Sequence, residues 1–381
     1  MTRSGTTRQR PTRGGATILA ALAVLVGVSP IRTVRPAGGG EFTVPPPSHD
    51  ERVEVQPNSA EAGTTEAGRH LYRLPESYHG PLGTLNQTAL VAHQKKRLGV
   101  INEKLGVRLR MSETRHYLVF SDVDSAVATR FRNWSEALYG NLLKHFGLTE
   151  RARVWDGKCV VILFARRRPF EQYAKVFDGN DASRAGAYFA VEYHGPGRPN
   201  LVHMCFPADS RDVRHQQELF AHEGTHAFFE LYKTPGRLPL WLHEGLAEYM
   251  TTVNDRALRA AKWPPAVRVA AAKKPISGLF TAKAGESLSV EQYRVALTLV
   301  DFLLEQGRPK FKAFVDALKD GKEQEAALQQ AYGFGLAELA RRWRGHVGSH
   351  PPGHGHPSAR PCTKADLTTH EVAGRQHRWH A

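Results

Sequence analysis

Cysteine is scarce in this chain of 381 residues: Cys159, Cys205 and Cys362 are the only three, and none forms a Cys-x-x-Cys pair. That excludes a cysteine-built zinc module, and three cysteines are too few for a disulfide framework at this length. Cys159 and Cys205 fall in stretches that read as strands, where two buried thiols or one disulfide are both open readings. Long apolar runs are missing too. The run Ala16 to Val28 has thirteen residues and stops at Ser29-Pro30, whereas a membrane helix needs about 20. Acidic residues are absent from residues 1–37, which carry six arginines. There is no internal repeat and no nucleic-acid-binding module.

These absences define the ends of the chain. Arg3, Arg8, Arg10 and Arg13 followed by the short apolar run have the layout of an export signal. Val34-Arg35-Pro36-Ala37 matches a cleavage site poorly, so residues 1–37 read either as a signal peptide or as an uncleaved N-terminal anchor. The expected location is periplasmic, secreted or on the outer side of the cytoplasmic membrane, with membrane contact only through that anchor. The formal net charge is +15, or +9 without residues 1–37. The remaining basic residues are scattered, which predicts a generally basic surface and no specific nucleic-acid partner. Residues 38–68 are rich in Pro, Gly, Ser, Thr and Glu and read as a disordered linker. Residues 349–381 read as a disordered tail with six histidines, which can bind metal weakly or simply be soluble; Cys362 lies there.

Between these ends, residues 69–348 read as one domain, and 41% apolar residues suffice for a core. Residues 69–110 are ambiguous, with a helix expected within Leu85 to Leu105. Tyr117–Ser121 reads as a strand, and Ser121 or Asp122 can cap a helix over about 123–146. Cys159–Phe164 is a continuous apolar run, as in a strand buried on both faces. A short helix is expected near Phe170 to Phe177. Strands over Ala185–Val191 and Asn200–Phe206 flank a Gly-Pro-Gly-Arg-Pro turn, the pattern of a loose hairpin. Helices are predicted over 213–232 and 240–252, loop over most of 254–290, then helices at about 291–306, 309–319, 322–332 and 336–347. Strands come first and helices second, an α+β order: a sheet part at about 115–210, two helices at 213–252 and a helical part at 253–348.

The chemistry sits in Phe220-Ala221-His222-Glu223-Gly224-Thr225-His226-Ala227-Phe228-Phe229. Two histidines four apart share one helical face and can reach a single zinc at about 2.0–2.1 Å. Glu223 follows the first of them, placed beside a metal's open position. The helix is apolar nearly all round, so it is buried, and buried histidines and a glutamate need partners. After seventeen intervening residues comes Glu244, in Leu240-Trp241-Leu242-His243-Glu244-Gly245-Leu246-Ala247-Glu248-Tyr249-Met250.

H-E-x-x-H followed by W-L-x-E-G-x-A-E-Y resembles the gluzincin metallopeptidases, the clan of thermolysin and the zinc aminopeptidases. The resemblance covers roughly residues 215–252. More loosely, the flanking strands and C-terminal helices resemble a bacterial exported domain family. The clan resemblance implies a zincin-like fold: a small mixed sheet, the H-E-x-x-H helix, the glutamate helix and a helical C-terminal part. It implies that Glu244 is the third ligand of one Zn2+ per chain, with His222 and His226. Two imidazoles and one carboxylate leave the fourth position open, as catalytic zinc requires. The implied activity is peptide-bond hydrolysis with Glu223 as general base, on peptide or protein substrates. Endopeptidase action is favoured because nothing marks an anchor for a free amino terminus. The alternative is an inactive zinc-fold protein of the envelope with a binding or structural role.

Four further residues have assigned expectations. Glu248, one turn after Glu244, can accept from the far nitrogen of a ligating histidine, as an acid at this offset does in thermolysin-like enzymes, or can be a surface glutamate. His243 adjoins Glu244, but helical neighbours point about 100° apart, so it is not expected on the same zinc. Tyr293, opening a helix with Leu297, Val300, Leu303 and Leu304 on one face, is either the hydrogen-bond donor to the oxyanion or an ordinary half-buried tyrosine. Tyr249 is the second choice as donor. A substrate peptide is expected to pair with a sheet edge offered by the strands at 185–191 and 200–206, with Tyr188 and Tyr193 near the cleft.

Overall fold

The computed structural model describes residues 87–192, 199–283 and 286–349. The export segment, the linker, the histidine-rich tail with Cys362, Tyr193 and most of the Gly-Pro-Gly-Arg-Pro turn lie outside them. The elements in chain order are α1 (Gln87–Leu105), β1 (Arg110–Glu113), β2 (Tyr117–Ser121), α2 (Ser125–His145), β3 (Cys159–Phe164), α3 (Arg167–Phe177), β4 (Tyr188–Glu192) and β5 (Leu201–Pro207). There follow α4 (Val213–Leu231), α5 (Leu240–Thr252), α6 (Arg256–Lys262), α7 (Pro264–Ala271), α8 (Ser277–Thr281), α9 (Val290–Glu305), α10 (Arg308–Lys319), α11 (Gln324–Tyr332) and α12 (Leu336–Ser349). The α+β order and a small mixed sheet are present.

The sheet has the order β1-β2-β3-β5-β4. β2, β3 and β5 run parallel, while β1 and β4 are antiparallel strands at the two edges. Alternate side chains of β3 feed two cores: Cys159, Val161 and Leu163 face α2 and α4, and Val160, Ile162 and Phe164 face α1 and α3. Burial on both faces explains why this strand reads as an unbroken apolar run. It also settles the cysteines. Cys159 and Cys205 lie on opposite faces of the sheet, both buried and both free thiols.

Several expectations need correction. Asp124, not Ser121 or Asp122, caps α2, accepting from the Val127 amide at 2.8 Å. The stretch expected to be loop over 254–290 contains α6, α7 and α8, because Pro264 opens a helix at its first position instead of breaking one. β5 is internal, paired with β3 on one side and β4 on the other. It therefore offers no edge to a peptide; β4 alone of the two does.

The second half of the molecule is arranged around α5. All thirteen of its residues are buried, and it packs between α4 and α9. Such contact needs close backbones. A Cβ on Gly245 would lie 2.6 Å from the carbonyl oxygen of Ala296 on α9. A Cβ on Gly224 in α4 would lie 2.4 Å from a terminal methyl of Leu138 on α2. The glycine after Glu244 is thus what lets the glutamate helix lie against α9. The far ends of α4 and its following loop are held by Lys319 of α10. Its ammonium donates to the carbonyls of Phe229, Glu230 and Gly236 at 2.7, 3.1 and 2.6 Å. Three donors meet three acceptors that a helix end would otherwise leave open.

Gly245→Ala forces a methyl against backbone that has no rotamer to yield. The expected outcome is a loss of about 1–3 kcal/mol of stability, the usual range for overpacking, read as a lowered midpoint in denaturant. A midpoint equal to the parent's would show that α5 and α9 are not in this contact.

Candidate metal centre

Asp212 starts α4 by accepting from the His215 amide at 3.0 Å, and the helix then carries His222, Glu223 and His226 into the interior. Pro239 precedes α5, which brings Glu244 and Glu248 alongside. The Nε2 atoms of His222 and His226 are 3.1 Å apart, and Glu244 Oε2 lies 3.6 and 3.4 Å from them. Ligand atoms about 2.05 Å from a tetrahedral zinc would stand about 3.3 Å from one another. The three atoms form that triangle. Glu244 Oε2 is buried and makes no hydrogen bond, so an acceptor is directed into the space between the imidazoles. The donor set and this orphaned oxygen fit a zinc ion.

The far nitrogens are also occupied. His222 Nδ1 faces Glu248 Oε1 at 3.5 Å, so Glu248 is buried behind the metal site and is not a surface glutamate. His226 Nδ1 faces His243 Nε2 at 3.3 Å. Burial, with the neighbouring His226 and Lys319, pushes the His243 imidazole well below its usual range. A neutral His243 can accept the His226 Nδ1 proton, which would leave the His226 Nε2 lone pair to a metal. His243 stays off the metal-facing triangle, as its helical angle predicts. Its role as the partner of His226 was not anticipated, although its position beside Glu244 on a buried helix was the available signal.

Glu223 is buried, and burial raises its carboxyl; the two imidazoles oppose that shift and Glu244 adds to it. The Phe189 backbone on β4 hydrogen-bonds its carboxylate, and the Phe189 ring stacks on His226 with centroids 5.5 Å apart. The edge strand therefore touches the site. Tyr188 does not. It points to the opposite face of the sheet, where its hydroxyl donates to Asp178 at 2.6 Å. That alternation along the strand overturns the expectation for Tyr188.

Tyr293 lies half-buried in the first turn of α9, whose start is fixed by a capping box between Ser289 and Gln292. Burial raises its hydroxyl strongly, and the carboxylates of Glu244, Glu248 and Glu223 raise it further. The three acids of the site are thus within electrostatic reach of Tyr293. Tyr249 is turned elsewhere, toward His145 and Arg259.

A second group, Asp301, Glu305 and His346, also clusters among the described residues. There Arg259 already engages Asp301, and His346 spans the two acids at 3.6 and 3.4 Å. It reads as a closed ion network between α9 and α12.

Residues 200–349 match the Peptidase MA superfamily. That segment holds the two helices that carry His222, His226 and Glu244 and the helical part, and the match suggests a metallopeptidase. Two solved structures share a likeness at 15% identity: an M1 zinc metallopeptidase from Deinococcus radiodurans, with a TM-score of 0.36, and a point mutant of a two-domain M1 zinc metallopeptidase bound to L-arginine, with a TM-score of 0.31. Each alignment covers 64% of this chain and 53% of that structure's chain, so the chain spans about half the length of these structures. No curated protein matches.

The charge in the site predicts a pH dependence. Burial pushes the His222 imidazole down, but Glu244, Glu248 and Glu223 outweigh it and raise it to about 10 without metal. Zinc needs a neutral imidazole, so it competes with a proton throughout the neutral range. Zinc affinity should rise with pH between 6 and 9, and binding at pH 7 should release a proton, measured calorimetrically in buffers of different ionisation enthalpy. A pH-independent affinity without proton release would contradict the site.

Proposed function

We propose that the chain is a zinc-dependent peptidase in which His222, His226 and Glu244 hold the metal. The observation that carries this reading is the buried triangle of their ligand atoms with Glu223 beside it. Zinc in that position supplies a Lewis acid and lowers the pKa of a bound water to about 7. Glu223 is the general base. Its carboxyl, raised by burial, takes a proton from the attacking water and delivers it to the leaving amine. Tyr293 donates its hydroxyl hydrogen to the developing oxyanion, a role its strongly raised pKa suits because it stays protonated.

The substrate is an extended peptide paired with β4, the terminal strand of the sheet, whose Phe189 lies against both Glu223 and His226. Edge pairing uses main-chain groups and asks nothing of the peptide's termini, which favours internal cleavage. Six arginines and a short apolar run at the N-terminus support action outside the cytoplasmic membrane.

The test is metal analysis with peptide-library cleavage. Glu223→Gln keeps shape and ligands, so zinc content should equal the parent's while hydrolysis is lost. Tyr293→Phe should keep zinc and fold but lower kcat by about 100- to 1,000-fold. Zinc binding without cleavage by the parent would favour the inactive zinc-fold reading; undiminished cleavage by Glu223→Gln would remove Glu223 as base.

A further inference from the structure

Cations from three helices converge on one carboxylate, that of Glu248 on α5. Its Oε1 faces His222 Nδ1 of α4 at 3.5 Å. Its Oε2 lies 3.1 Å from Lys262 Nζ of α6 and contacts Arg294 Nη1 of α9. Lys262 is itself buried, at 4% exposure. Its ammonium also meets Glu218 Oε1 of α4 at 2.5 Å and Thr251 Oγ1 of α5 at 2.9 Å, so all three donors have acceptors.

A histidine needs only one oxygen behind it. Two additional cations on the other oxygen do something further. Held from one side by Lys262 and Arg294, the carboxylate has one orientation left, with Oε1 toward His222. The same Arg294 is the residue after Tyr293 in the first turn of α9. Through Nη1 its guanidinium is a strut from that turn to the helix that bears Glu244 and Glu248.

We propose that Lys262 and Arg294 are positioning residues: together they orient Glu248 and, through it, His222 toward the metal, while Arg294 also fixes the turn that presents Tyr293. The part concerning Tyr293 rests on the proposed peptidase function; the part concerning metal requires only that His222 is a ligand.

The experiment uses the full chain with Lys262→Met, Arg294→Gln and the conservative Lys262→Arg and Arg294→Lys. Zinc affinity is measured by chelator competition, fold by circular dichroism of the metal-free protein, and kcat and KM at saturating zinc on a peptide the parent cleaves. The first two variants should bind zinc about 10- to 100-fold more weakly, the usual effect of losing a group behind a ligand, with the fold retained. The conservative variants should recover most of that affinity. At saturating zinc, Arg294→Gln should lower kcat more than Lys262→Met does, with KM unchanged. Unaltered zinc affinity in both neutral variants overturns the proposal, as does a kcat for Arg294→Gln no lower than for Lys262→Met. If Lys262→Met does not fold, Lys262→Gln is judged by the same criterion. If the parent cleaves nothing, the peptidase reading fails while the zinc comparison still decides the role of Lys262 and Arg294 toward the metal.

Discussion

His222, His226 and Glu244 bring their ligand atoms within 3.6 Å of one another in the interior, and the surrounding structure answers the charge they carry there. Buried ionisable groups are costly unless paired, because water's solvation is lost and the interior returns little of it. Here both imidazoles have a partner behind them. The His222 imidazole has Glu248, whose own carboxylate has Lys262 and Arg294. The His226 imidazole has His243. Burial alone would raise the Glu244 and Glu248 carboxyls, yet their cationic neighbours hold Glu244 well below the usual range and Glu248 down to about 2. Both stay ionised, and Glu244 remains a competent metal donor.

This constraint accounts for the architecture of the second half. Glu244 reaches the histidines only if α5 lies deep, and α5 lies deep only if α9 covers it at glycine distance. Covering it places the first turn of α9 over the site, with Tyr293 and Arg294 together. α6, short and outside the expected helical plan, matters because its last residue is Lys262. The sheet contributes through its edge. β4 carries Phe189 against His226 and Glu223, while the opposite face of the same strand enters a separate buried network. There His203 sits 3.0 Å from Asp178 and is raised to about 9 despite burial, and Arg97 pairs with Glu192 at 2.8 Å.

The grouping of His222, His226 and Glu244 was legible in the sequence because its geometry is local: helical spacing puts His222 and His226 on one face, and the second helix was placed at its observed bounds. What escaped was non-local or polar. Helix α1 was expected within Leu85 to Leu105, though without clear bounds: it buries Leu90, Gln94, Arg97 and Ile101 at helical spacing, and two of the four are polar, so its apolar face is weak. Strand β1 is mostly exposed and carries no alternation. The strands of the β4–β5 hairpin look alike in sequence. Which one becomes the edge depends on β5 pairing with β3, earlier in the chain. Lys262 and Arg294 are, in sequence, two basic residues among 52; only the packing of four helices shows what they hold.

Two imidazoles and one carboxylate placed this way would hold a single zinc with a position left open. X-ray absorption at the zinc edge on the purified full chain tests it directly. The expected result is one zinc per chain with two imidazole nitrogens and oxygen donors at about 2.0–2.1 Å, no sulfur, and a spectrum altered in Glu244→Ala. A sulfur scatterer, or a spectrum unchanged by that substitution, would contradict it.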